Sequence, residues 1–264
     1  MNFEEYTARF FAYGPVAQVR PFADVIEGGR RYPLLRAETP GRRRLVITAG
    51  FHGDETAGPL TLVEYFDEIV AYANARGVGL TVYPSLNPSG FEDGTRYNRG
   101  GESPNNDLLR YEIEPGVWVG ELEPGQTFLN HRLFEDGPRE TRALAAEIAR
   151  LPIPDAALDL HQDPYIAEPL SYAYTFGDSA PFRPLVAKMD KLVPVTRSAQ
   201  VDEGVFTDAD GLIQLHDGSV TDYFHRKGVP YTAALETTTS AEMRACHGVN
   251  LIWIRGFIDL AAQR

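Results

Sequence analysis

The stretch LVITAGFHGDETAG, residues 45–58, decides the reading of this chain. Its apolar, β-branched opening, residues 45–47, has the character of a buried strand, and from Thr56 onward the spacing becomes helical. His52 and Glu55 therefore stand three apart at the carboxyl end of a strand, where open α/β sheets place their ligand sites. Imidazole nitrogen and carboxylate oxygen are natural Zn²⁺ ligands, and two His with one Glu and an open fourth position form a catalytic set. Gly50, Gly53 and Gly58 allow a tight turn there and the close approach of a substrate.

Working outward, the 264 residues suit one large α/β domain or two small ones. No internal repeat or linker cuts the chain, so a single domain over residues 1–264 is expected, with residues 1–44 as an N-terminal helix and strands packed on it. A 43% apolar and 23% charged composition is that of a globular protein. The net charge of −12 argues against nucleic acid or an anionic membrane as partner, since both require concentrated Lys and Arg. Cys246 is the only cysteine, which excludes a disulfide within the chain and a Cys-based zinc site. The opening MNFEEYTARFF carries acids where a signal peptide has basic and then apolar residues, and no apolar run is long enough to span a bilayer. A cytoplasmic protein is the expectation.

Along the chain, a helix is expected near residues 3–11, strands near 16–22 and 32–38, and a solvated turn at Arg42-Arg43-Arg44. Leu60, Val63, Phe66, Ile69 and Val70 follow helical spacing. A second core strand, residues 79–84, leads into Asn87-Pro88-Ser89-Gly90. Residues 87–137 are polar and rich in Gly, Pro and Asn, and read as an ordered floor and rim of a site with little regular structure. Helices follow at 138–151 and 181–192, strands at 155–161, 172–176 and 231–235, a helix start at Ser219, and a Thr239-x-x-Glu242 capping box opening the last helix. Strands alternating with helices predict an α/β fold whose mixed, mainly parallel central sheet has helices on both faces.

His161 ends ALDLH, Glu236 ends YTAALE and Asn87 follows LTVYPSL, each at the outgoing end of an apolar strand like His52 and Glu55. Strand ends of one sheet converge, so these groups can share a site.

HGDE, NPSGF, GTRYN, DLHQD and a late ALET, in that order, resemble the zinc carboxypeptidases and their deacylase relatives, the succinylglutamate desuccinylases and aspartoacylases. The resemblance runs from about residue 45 to 240. It implies one catalytic Zn²⁺ held by His52, Glu55 and His161, with Glu236 as general base and Arg96 of GTRYN facing the oxyanion. It also implies a peptide or N-acyl amino acid substrate, with amide hydrolysis as the reaction. Zinc would acidify a water and polarise the scissile carbonyl. Asp159 or Asp163 is expected to accept from the second ring nitrogen of His161.

Two departures qualify the match. The Asn-Arg pair with which peptidases hold a terminal carboxylate falls on Asn105 and Asn106 without gaps, or on a run ending at Arg110 with an insertion; because an amide lacks the arginine's charge, either Arg99 or Arg110 restores the grip or the substrate carries no carboxylate there. The carboxypeptidases' substrate-binding tyrosine falls near Gln214, ahead of Asp217-Gly218-Ser219.

The sequence thus favours a carboxypeptidase releasing a C-terminal amino acid. The alternatives are an N-acyl amino acid deacylase with the same metal and base, and a metal-bound binding protein without activity, against which the retention of Glu236 and Arg96 argues. His131, His216, His225 and His247 have no ligand spacing, and Cys246 reads as a packing residue. Asp202, Glu203, Asp208 and Asp210 lack the pattern of a calcium loop; they form an exposed acidic loop, with selection of basic substrates as a second reading.

Overall fold

The computed structural model describes residues 1–104, 108–123 and 125–264. In chain order the elements are α1 (Phe3–Phe11), β1 (Gln18–Glu27), β2 (Arg30–Glu38), β3 (Arg43–Ala49), α2 (Ala57–Asn74), β4 (Val78–Tyr83) and α3 (Pro88–Asp93). There follow β5 (Leu109–Glu114), β6 (Val117–Val119), β7 (Asn130–Leu133), α4 (Arg139–Ile148), β8 (Ala156–Asp163), β9 (Ser171–Thr175) and α5 (Arg183–Met189). The chain closes with β10 (Gln200–Asp202), β11 (Val205–Phe206), β12 (Leu212–Ile213), α6 (Val220–Arg226), β13 (Tyr231–Thr238) and α7 (Met243–Ala262).

Eight strands form the main sheet in the order β1-β2-β4-β3-β8-β13-β9-β12. The pairs β4–β3, β3–β8, β8–β13 and β9–β12 are parallel, and β1–β2, β2–β4 and β13–β9 antiparallel. The sheet is mixed and mainly parallel, as expected. Buried on both faces, its central strands read as nearly continuous apolar runs.

Alternate side chains of those strands enter two different cores. Leu45, Ile47, Ala49, Leu158 and Leu160 pack with α1, α2, α5 and α7. Val46 and Ala157 face the other way, toward Leu144 and Ile148 of α4 and Tyr223 and Phe224 of α6. The parity that buries Ala157 on the α4/α6 side puts Asp159 and His161 on that side too, and there the site forms.

Three sequence expectations are corrected here. Residues 87–137 hold more regular structure than their composition suggests: α3 and a three-stranded antiparallel sheet, β6-β5-β7. Glu242 is the N-cap of α7 and makes no capping bond, because β13 runs on to Thr238 and the Thr239 N–H is taken by the Asp163 carbonyl at 2.9 Å. Arg43 and Arg44 belong to β3, where they pair with Asp155 at 3.3 Å and Glu38 at 3.2 Å. Among the described residues no helix is long and apolar enough to cross a membrane.

Candidate active site

Beyond β3 the backbone reverses at Gly50, φ +68°. Next to it, a Cβ on Gly53 would stand 1.9 Å from the Gly90 carbonyl carbon, so only glycine lets the His52 loop lie against α3. The same contact brings up the segment after α3, which Asn87, the N-cap of α3, holds in place. Its Oδ1 caps the Gly90 N–H at 2.9 Å and its Nδ2 donates to the Arg96 carbonyl at 3.1 Å.

His52, Glu55 and His161 are buried together, each presenting one ligand atom within 4.8 Å of the others. His52 Nδ1 lies 2.6 Å from Glu55 Oε1, and His161 Nδ1 lies 2.8 Å from Glu55 Oε2. Glu55 also accepts from Arg96 Nη1 at 2.8 Å and from the Gln162 N–H at 3.1 Å. On the far side of the His161 ring, Nε2 lies 2.7 Å from Asp159 Oδ2, while Thr48 Oγ1 donates to Asp159 Oδ1 at 2.8 Å. A carboxylate only accepts, so Asp159 fixes the His161 proton on Nε2 and turns Nδ1 toward Glu55. Phe51 stacks parallel to the same ring at 5.9 Å.

Burial pushes the Glu55 carboxyl up, but the two imidazoles outweigh it and hold it well below the usual carboxylate range. Burial lowers His161, yet Asp159 and Glu55 together raise it well above an ordinary histidine. His52 goes the other way: burial lowers it, and Glu55 only partly compensates. Two imidazoles and a carboxylate, one ring oriented by a second carboxylate, are a donor set that fits Zn²⁺.

Strand register supplies the remaining walls. His161 pairs with Glu236 across β8–β13, and Glu236 with Tyr172 across β13–β9. One pleat level away lies the row Thr48, Asp159, Ala234, Tyr174. Both rows face the α4/α6 side, and the small Ala234 leaves space between Asp159 and Tyr174. The result is a cavity of about 130 Å³ lined by the His-Glu-His cluster, Arg96, Glu236, Tyr172 and Tyr174, with Asp163, Asp202 and Asp217 around it. Glu236 Oε2 is buried with no hydrogen-bond partner among the described residues. Burial, followed by Glu55, Asp163 and Asp159, raises its carboxyl well above the usual value, although His161 opposes this.

The structure thus brings together His52, Glu55, His161, Glu236 and Arg96. Arg99 and Arg110 do not line this cavity. The Arg99 guanidinium is held at 2.7 Å by both oxygens of Asp93 and donates to Tyr32 Oη at 2.5 Å. Arg110 donates to its neighbour Leu109's carbonyl at 2.8 Å and lies 3.7 Å over the Phe134 ring. Asn105 and Asn106 lie outside the described residues. Asp159, not Asp163, supports His161; Asp163 instead accepts from Tyr172 Oη and the Tyr165 N–H, both at 2.7 Å. Gln214 is exposed and bonds the Gly177 carbonyl at 3.0 Å. The sequence reading missed Tyr172 and Tyr174 as cavity walls; their two-residue spacing within a strand was the available signal. Asp217, also missed as a wall, carried none.

A mixed sheet with a His-Glu-His cluster at its strand ends is the arrangement of zinc carboxypeptidase-like proteins. Within that class the chain belongs to the succinylglutamate desuccinylase/aspartoacylase family, whose catalytic domain matches residues 41–182. Family and fold support a hydrolase. The chain is similar in structure to a putative metallopeptidase from Shewanella baltica OS155, with TM-score 0.77, 23% identity, and coverage of 98% of this chain and 92% of that one. A metallo-carboxypeptidase from Burkholderia cenocepacia gives TM-score 0.65 at 14% identity, covering 97% and 68%. Bovine thrombin-activatable fibrinolysis inhibitor gives 0.64 at 13%, covering 100% and 97%. At these identities the likeness is one of fold. No curated protein matches the chain.

Proposed function

We propose that this protein is a metal-dependent amide hydrolase that deacylates an N-acyl amino acid, with His52, Glu55 and His161 as ligands of one Zn²⁺. The observation that carries the reading is the unpartnered Glu236 Oε2 in the same cavity as the His-Glu-His cluster. When bound there, zinc supplies Lewis acidity toward water and toward the scissile carbonyl. Glu236 takes the proton released as water attacks and delivers it to the departing amine. Arg96 lines the cavity and offers its guanidinium to charge developing on the carbonyl oxygen. Asp159 keeps the His161 ring in its working tautomer, and Gln162 holds Glu55 through its backbone N–H.

Deacylation is preferred over the carboxypeptidase reading on the family match. The test is hydrolysis by zinc-loaded protein of N-acyl amino acids against peptides with free or amidated C-termini, with a chelated control. Cleavage of the N-acyl series alone is expected. Cleavage confined to free C-termini would return the protein to the carboxypeptidases.

A further inference from the structure

Successive residues of β8 face opposite sides of the sheet, so Gln162, next to His161, sends its side chain to the core shared with α2 and α7. A buried amide is costly there unless both its ends are bonded. Gln162 is buried, and its Oε1 accepts from the Ala57 N–H at 2.8 Å while its Nε2 donates weakly to Cys246 Sγ at 3.9 Å. Its backbone N–H donates to Glu55 Oε2 at 3.1 Å. One residue of β8 thus holds the Glu55 carboxylate with its main chain and the helix after Glu55 with its side chain.

The start of α2 depends on that side chain. Ala57 is the first residue of the helix, and the free N–H groups of a helix start are ordinarily met by the N-cap side chain. Thr56, the N-cap of α2, makes no such bond, and the first turn carries no acidic residue. The acceptor comes instead from β8, 105 positions along the chain. The helix start is also pressed onto the sheet. A Cβ on Gly58 would stand 2.9 Å from Leu160 Cβ and 3.2 Å from Ala49 Cβ, so only glycine lets Ala57 come this close to β8. Glu55 lies two residues before Ala57, and its two oxygens meet His52 Nδ1 and His161 Nδ1. The place of Glu55 relative to His161 therefore follows from where α2 begins, and Gln162 fixes that point.

We infer that Gln162 is a positioning residue of the metal centre: its amide ties the start of α2 to β8 and so holds Glu55 in register with His161. This rests on the reading of His52, Glu55 and His161 as metal ligands. A ligand set already in place loses less freedom when an ion enters, so zinc affinity is the quantity that Gln162 controls.

The test compares zinc affinity, by chelator competition, with the Tm of the zinc-free protein in wild type, Gln162→Met and Gln162→Glu. Methionine removes the acceptor at nearly constant length. Glutamate keeps a side-chain oxygen for the Ala57 N–H, at a helix start that favours an acceptor of negative charge. Gln162→Met should weaken zinc affinity about 10–100-fold, the usual effect of losing a partner that orients a ligand. Gln162→Glu should recover most of that loss. A purely structural role predicts a lower Tm for Gln162→Met with zinc affinity unchanged. That result, or a loss in Gln162→Glu as deep as in Gln162→Met, would overturn the inference while leaving the ligand assignment intact. Should Gln162→Met fail to fold, Gln162→Asn, whose amide is one methylene too short to reach Ala57, takes its place under the same criteria. A wild type that binds no zinc, or binds it equally well after His161→Ala, would overturn the ligand assignment and the inference with it.

Discussion

At the scale of single residues, the site depends on side chains that hold other side chains. Asp159 is not one of the three candidate metal ligands, yet it sets the His161 tautomer and is itself fixed by Thr48. Asp159→Asn should keep the fold and weaken zinc affinity about 10–100-fold, the usual effect of losing a ligand's orienting partner. Chelator competition checks this, and unchanged affinity would contradict the assigned role. Arg96→Ala should lower kcat roughly 10²–10³-fold, the cost of one lost oxyanion donor, while metal content stays at the wild-type level. A variant that lost its metal instead would show that Arg96 acts mainly by holding Glu55.

At the scale of elements, register places the chemistry. His161, Glu236 and Tyr172 form one cross-strand row, and Asp159, Ala234 and Tyr174 the next. Ala234→Leu would push side-chain atoms into a space of about 130 Å³. We expect wild-type zinc binding with a large rise in KM, measured as the ratio of the two; an unaltered KM would mean that substrate lies elsewhere.

A second element-scale prediction concerns α4. Glu140 is buried against Glu27 of β1 and accepts from Asn98 Nδ2 at 3.3 Å, and burial and Glu27 raise its carboxyl to about 8. The folded state therefore keeps a proton that the unfolded state, with a value near 4.5, releases. This contribution is complete below about pH 4.5 and is lost as pH rises to about 8, so stability falls across that window, by on the order of a few kcal/mol. Glu140→Gln should flatten the profile of Tm against pH, whereas parallel profiles for the two proteins would refute the pairing.

At the scale of the whole molecule, the legible parts were those that local pattern dictates. The strand–loop–helix of residues 45–58, the parallel sheet, and the polar groups ending ALDLH and YTAALE follow from apolar runs that stop at a charged or imidazole side chain. The residues that sequence alone misplaced depend on partners far along the chain. Arg99 is claimed by Tyr32, 67 positions away, as well as by nearby Asp93. Tyr174 reaches the wall of the site only because β9 pairs with β13, which pairs in turn with β8. The small β6-β5-β7 sheet was hidden because its strands are short, β6 being only Val117–Val119, and β5 and β7 carry many polar residues.

The central claim, that one metal held by His52, Glu55 and His161 acts with Glu236 as base, is tested most directly by measuring zinc content and N-acyl amino acid turnover together in three proteins. Wild type should hold one equivalent of zinc and lose activity reversibly on chelation. His161→Ala should lose both metal and activity. Glu236→Gln should keep one equivalent while turnover falls roughly 10²–10⁴-fold, the usual share of a general base. Normal turnover by Glu236→Gln, or a full equivalent of equally tight zinc in His161→Ala, would contradict the account.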